Sequence, residues 1–142
     1  MATLDDLKID GVSASLPPTI TYYNRKVGED YNKVKGRVIK WDNGLMIITG
    51  AYDLGRTACT SNWGAFKECN NEQYLPHFEE EFIEPPYVTV SVTSEDNDDV
   101  NAAFIEAIDS LSTTRMGMAY FCTGTSGYKQ IAISFIAIGM WK

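Results

Sequence analysis

The sequence predicts an all-β domain, an antiparallel β-sandwich preceded by an extended N-terminal arm. Three observations predict it. Tyr87-Val-Thr-Val-Ser-Val-Thr93 alternates strictly, with Val88, Val90 and Val92 on one side and Tyr87, Thr89, Ser91 and Thr93 on the other. That is the period of a strand with one wet face. Asp42-Asn43-Gly44 separates two apolar runs, which signals a hairpin. The final segment, 130–139, alternates through Ile131, Ile133 and Phe135, then turns apolar on both sides through Ile136, Ala137 and Ile138. A strand covered on both faces loses its alternation, so either another subunit supplies part of the cover or the strand is a central one in a single-chain sandwich.

Residues 1–35 stand apart as an arm or connector. Leu16-Pro17-Pro18 interrupts any regular element, and Leu7-Lys-Ile9 offers one short alternation. From Gly36 the domain proper begins. Arg37–Trp41 and Leu45–Thr49 are the two strands of the hairpin, joined by a type I′ turn that uses the tolerance of Asn-Gly for positive φ. A further strand is expected through Ala51-Tyr52-Asp53-Leu54. Residues 55–75 read as a long polar loop carrying Trp63, Phe66 and Tyr74; loops of that length are usually functional. The Glu79-Glu80-Glu81 run reads as a solvated, aggregation-blocking edge feature. Glu95–Asp99 is an acidic loop, solvated rather than calcium-binding, because it lacks the Asp-x-Asp-x-Asp-Gly order. Residues 102–111 fit both periods and are assigned to a strand. Arg115–Cys122 is a strand, 124–127 a turn, and Lys129–Gly139 the last strand.

Composition narrows the function. With 12 basic against 19 acidic residues, the net charge of −7 opposes nucleic-acid binding and docking on anionic lipid. No apolar run reaches spanning length, so no membrane insertion is expected. The acidic N-terminus lacks the apolar stretch of a signal peptide, so synthesis in the cytoplasm without one is expected. Three cysteines without a C-x-x-C exclude a zinc ribbon, and all three are expected to be reduced and buried. His77 is the only histidine, wedged between Pro76 and Phe78, so a Ser-His-Asp set has a single possible centre there. No phosphate loop is present, and no cofactor or metal is expected. The chain therefore reads as a binding module rather than an enzyme. Tyr52, Arg56, Asn62 and Trp63 combine a stacking face with donors and acceptors, the chemistry that holds a sugar ring.

Three pieces, in order, carry a resemblance: Trp41-Asp-Asn-Gly-Leu45, Phe82-Ile-Glu-Pro-Pro-Tyr-Val-Thr-Val-Ser-Val92 and Ser134-Phe-Ile-Ala-Ile-Gly139. Together they resemble the C-terminal receptor-binding domains of bacteriophage and prophage tail fibres, over about residues 36–142. The last two pieces also look like the H-type lectin fold, a small antiparallel sandwich. One departure is Phe135, where such domains often carry Trp before the Ile-Ala-Ile-Gly. The resemblance implies a homotrimer, carbohydrate recognition on a host surface, attachment to other virion tail proteins and a place in the virion tail. The alternative it leaves is a purely structural knob that trimerises and caps a fibre.

Overall fold

The computed structural model describes residues 8–9, 12–13, 16–26, 33–69, 73–94 and 103–142. The acidic loop at 95–99 lies outside them. The described chain is all-β and antiparallel, with no helix. Two short strands, β1 (Lys8–Ile9) and β2 (Val12–Ser13), pair with each other. The rest is one continuous sheet: β3 (Thr19–Lys26), β4 (Lys33–Lys40), β5 (Leu45–Trp63), β6 (Phe66–Cys69), β7 (Gln73–Tyr74), β8 (Tyr87–Ser94), β9 (Ala103–Asp109), β10 (Met118–Thr123) and β11 (Gly127–Met140). The sheet thus begins at Thr19 and takes in residues that composition assigns to the arm.

The 19-residue β5 organises everything. Its first half lies between β4 and β11, giving the order β3-β4-β5-β11-β8. Its far end pairs with β6, which pairs with β10, and β10 carries β9 and β7. A bulge separates the halves: Ile131 faces Gly55, Ala132 faces Asp53, and Leu54 is left over. The Asp53 carboxylate accepts from the Gly55 amide at 2.8 Å and from Gln130 Nε2 at 2.6 Å. Such a bulge bends and twists the strand, and the sheet folds over as a sandwich-like pair of layers. Between them lie Val34, Val38, Met46, Ile48, Ile133 and Phe135 from one layer, with Ala119, Phe121 and Met116 from the other.

The hairpin at 41–45 forms, but its turn is not type I′. That turn needs positive φ at both central residues, and here only Gly44 has it, at +95°. The Gly44 amide donates to the Trp41 carbonyl at 3.1 Å and the Trp41 amide to the Leu45 carbonyl at 3.0 Å. This is a type I turn closed by a left-handed glycine, the usual three-residue loop. Asn43 contributes through its side chain instead, accepting from the Leu45 amide at 3.0 Å. The C-terminus docks on this turn. The Trp141 amide donates to the Gly44 carbonyl at 2.9 Å, and its indole N–H to the Trp41 carbonyl at 3.1 Å.

β8 follows its alternation, and 103–109 is a strand as assigned. Within the segment expected as a loop, residues 55–63 and 66–69 are strand. β5 continues to Trp63 and returns as β6, because Thr57 and Cys59 turn inward and supply a buried face too small and polar to register as an apolar stripe. The glutamate run is not a strand either: Glu79 pairs with Arg25 and Glu80 with Lys40.

β11 differs from expectation in an informative way. Within one chain it alternates cleanly, burying 129, 131, 133, 135 and 137. The opposite face, carrying Ile136, Ile138 and Met140, is open. Register places Tyr87, Ile138, Ile47, Ile39 and Ile20 in a single row across five strands of that open face. Six of the ten large apolar side chains exposed among the described residues lie on it: Ile20, Tyr22, Tyr87, Ile136, Ile138 and Met140.

Candidate functional site

The β5–β6 hairpin lies within the sheet, with β10 paired along β6 as far as Lys67. Trp63 faces Phe66 across the two-residue Gly64-Ala65 turn, with φ of +59° at Gly64 and no positive φ at Ala65. That is the pattern of a type II′ turn, which suits the twist of a hairpin. Trp63 is 42% exposed at this tip. Asn62 and Lys67 oppose each other one step back, and Lys67 Nζ donates to Asn62 Oδ1. Successive strand positions point to opposite faces, so the tip carries the Trp63 ring on one side and the Asn62 amide with the Lys67 ammonium on the other.

Cys59 and Cys69 occupy opposed positions at the base of the hairpin and form a disulfide. This corrects the expectation of three reduced thiols; only Cys122 is free, and it is buried. The cysteines are ten residues apart; a two-residue turn at Gly64-Ala65 alone would set Cys69 opposite Thr60, and the irregularity between Cys59 and Ser61 shifts the register to bring Cys59 to it. Cross-linking a short loop restricts the unfolded chain and is worth about 3 kcal/mol. Reduction, or Cys59→Ser with Cys69→Ser, is expected to lower stability by about 2–3 kcal/mol in urea melts. An unchanged midpoint would contradict the pairing.

The four residues singled out by sequence do not form one site. Asn62 and Trp63 share the tip. Arg56 is exposed on β5 opposite Gln130, six residues back, which at the strand rise is about 20 Å away. Tyr52 lies before the bulge with its side chain turned inward, 6% exposed. Its alternation with Leu54 places it on the core face, and a buried ring has no face to offer at the tip.

Tyr52 instead forms part of a separate cleft of about 580 Å³. The segment 75–79 forms one side, with Leu75 and Phe78 buried. Arg25, from the end of β3, crosses to it: Nε donates to Glu79 Oε2 at 2.8 Å and Nη2 to the His77 carbonyl at 2.9 Å. His77 and Arg115 oppose each other in an isolated antiparallel bridge, which sets their side chains side by side at the rim. Tyr23, nearby on β3, donates its hydroxyl to the Thr49 carbonyl at 2.9 Å. Burial pushes its pKa up to about 12, with the negative charge of Glu79 adding to the effect and Arg25 opposing it. No sequence signal announces this cleft, because Arg25 and Glu79 are 54 positions apart.

Among the described residues no group of three or more His, Cys, Asp or Glu could hold a metal ion. No protein-family model matches the chain, and neither does any curated protein or solved structure.

Proposed function

We propose that the chain is a carbohydrate-recognising receptor-binding module of the tail-fibre type, presented as a homotrimer on a virion and acting without catalysis. The observation that carries the reading is the hairpin tip. A tryptophan held exposed at the end of a disulfide-closed hairpin supplies a rigid stacking surface, and the adjacent Asn62–Lys67 pair adds an amide and an ammonium on the hairpin's other side. The motif resemblance in segments 41–45, 82–92 and 134–139 supports the tail-fibre setting. Arg56 flanks the tip along β5 rather than joining it.

A single shallow sugar site binds near the millimolar range, because exposed hydroxyls exchange water for protein partners at little net gain. Several copies on one particle raise the effective affinity by orders of magnitude. On a glycan array, with the chain displayed at high density, Trp63→Ala is expected to reduce binding at least tenfold with no change in melting behaviour. Normal binding by that variant would remove the hairpin from the account.

The open sheet face supports the oligomer. Five strands at about 4.8 Å spacing carry an apolar row roughly 20 Å across, the scale of a standard protein contact. Apolar patches of this extent mark interaction sites. The tail-fibre resemblance sets the number of copies at three. Ile138 is 41% exposed within one chain, so Ile138→Asp should leave the fold intact while splitting the assembly. Light scattering should then give a monomer mass for the variant and a trimer mass for the parent. The same face also favours the alternative of a structural knob, which predicts a trimer that binds no glycan.

A further inference from the structure

We infer that the cleft beside β3 is a second saccharide site, selective for sugars that carry a carboxylate. The inference rests on the reading of the chain as a carbohydrate-binding module and adds the class of ligand. Its motivation is charge. The chain has 19 acidic residues against 12 basic ones, yet the cleft is lined by two arginines and His77 against one carboxylate, Glu79. Glu79 is already matched: Arg25 binds its Oε2 and, through the His77 carbonyl, ties the 75–79 segment to β3. Arg115 is different. Among the described residues no carboxylate pairs with it, and its backbone is fixed to His77 across the bridge. A guanidinium held at the rim of a concave site, beside an imidazole, presents a fork that matches a carboxylate in two parallel hydrogen bonds.

The rest of the cleft suits a pyranose ring. Tyr52, Leu75, Pro76 and Phe78 are buried and set one apolar part of the wall, while Arg25, His77, Glu79 and Arg115 supply the polar part. Ring C–H faces pack against such walls, while the Glu79 oxygen not used by Arg25 accepts from a sugar hydroxyl. A volume of about 580 Å³ lies in the range of small-molecule sites and admits one or two rings. A hexuronate meets both requirements: its carboxylate to Arg115 and its ring to the apolar side. A neutral hexose meets only the second.

The test uses the intact chain and glucuronate, with glucose and glycerol 1-phosphate as comparisons, read by protein-observed NMR titration. Glucuronate is expected to shift the amides of Gly117, Leu75 and 77–79, with a dissociation constant of ~1 mM, at least tenfold tighter than glucose. Arg115→Gln, at an exposed position, should weaken glucuronate at least tenfold, and Arg115→Lys should recover part of the loss. Equal affinity for glucuronate and glucose, or no effect of Arg115→Gln, would overturn the inference. Tighter binding of glycerol 1-phosphate than of glucuronate would overturn it too, by making the site a phosphate site. The hairpin reading fails separately. Loss of array binding in Trp63→Ala with glucuronate binding intact supports both sites. Array binding that ignores Trp63, alongside Arg115-dependent glucuronate binding, leaves the cleft standing alone.

Discussion

Gly36→Val is expected to cost about 4 kcal/mol, most of the stability of a small domain. Gly36 and Gly50 are paired in the middle of the sheet, between Tyr23 on one side and Phe135 on the other. Both aromatics lean over the space the glycines leave. A Cβ at Gly36 would run into the Thr49 carbonyl oxygen and come within 2.7 Å of both the Gly50 Cα and the Tyr23 hydroxyl. The first two are backbone atoms of the central strand and cannot rotate away. Overpacking of this kind costs about 1–3 kcal/mol or more, and displacing the hydroxyl that donates to Thr49 adds about 1 kcal/mol. Denaturant melts of Gly36→Val beside Tyr23→Phe separate the two contributions. A Gly36→Val midpoint equal to the parent's would mean that Gly36 of β4 does not pair with Gly50 of β5 as described.

Phe82→Ala is the second large effect, expected at about 3–5 kcal/mol. Phe82 is 1% exposed although it sits in an irregular segment between two exposed neighbours. Its ring meets Phe78 edge to face, with centroids 5.2 Å apart. On its other side Gly139 approaches so closely that a Cβ there would lie 2.8 Å from the ring. Its amide donates to the Thr113 carbonyl at 3.0 Å, and the amide of Ile83 to Met140 at 2.9 Å. Phe82 thus ties the 75–86 segment to the last strand. Phe82→Leu, which keeps most of the volume, should cost less than half as much. Equal losses for the two variants would show that the backbone bonds, not the ring, hold the segment.

The sequence expressed the parts of the fold that repeat a local rule. Val88, Val90 and Val92 carried β8 because nothing competes with a period of two in that stretch. Asp42-Asn43-Gly44 marked the hairpin, though the turn type depended on Asn43 bonding through its side chain rather than adopting positive φ. What stayed hidden was non-local. Thr57 and Cys59 face inward, but neither reads as a core residue alone; Cys59 is covered through β6 and the disulfide, and Thr57 lies opposite Lys129 of β11. Tyr52 looked like a ligand-stacking ring because composition cannot say which face of a strand is covered. The doubly apolar end of β11 was legible as a pattern, and its consequence within one chain is the open row through Ile138. Of the candidate site, the sequence held Asn62 and Trp63 as neighbours. It could not join Arg25 to Glu79 or His77 to Arg115, which only the folded sheet brings together.

The most direct test of the central claim is adhesion of the chain displayed densely on beads to a panel of immobilised bacterial polysaccharides. Free saccharide is added as competitor, and sparsely coated beads serve as the low-valency control. The account predicts retention on at least one polysaccharide, loss of retention at low density, release by millimolar free sugar, and no retention for Trp63→Ala beads. Failure of the dense beads to bind any polysaccharide or cell surface, with the folded chain intact in solution, would contradict carbohydrate recognition and favour the structural knob.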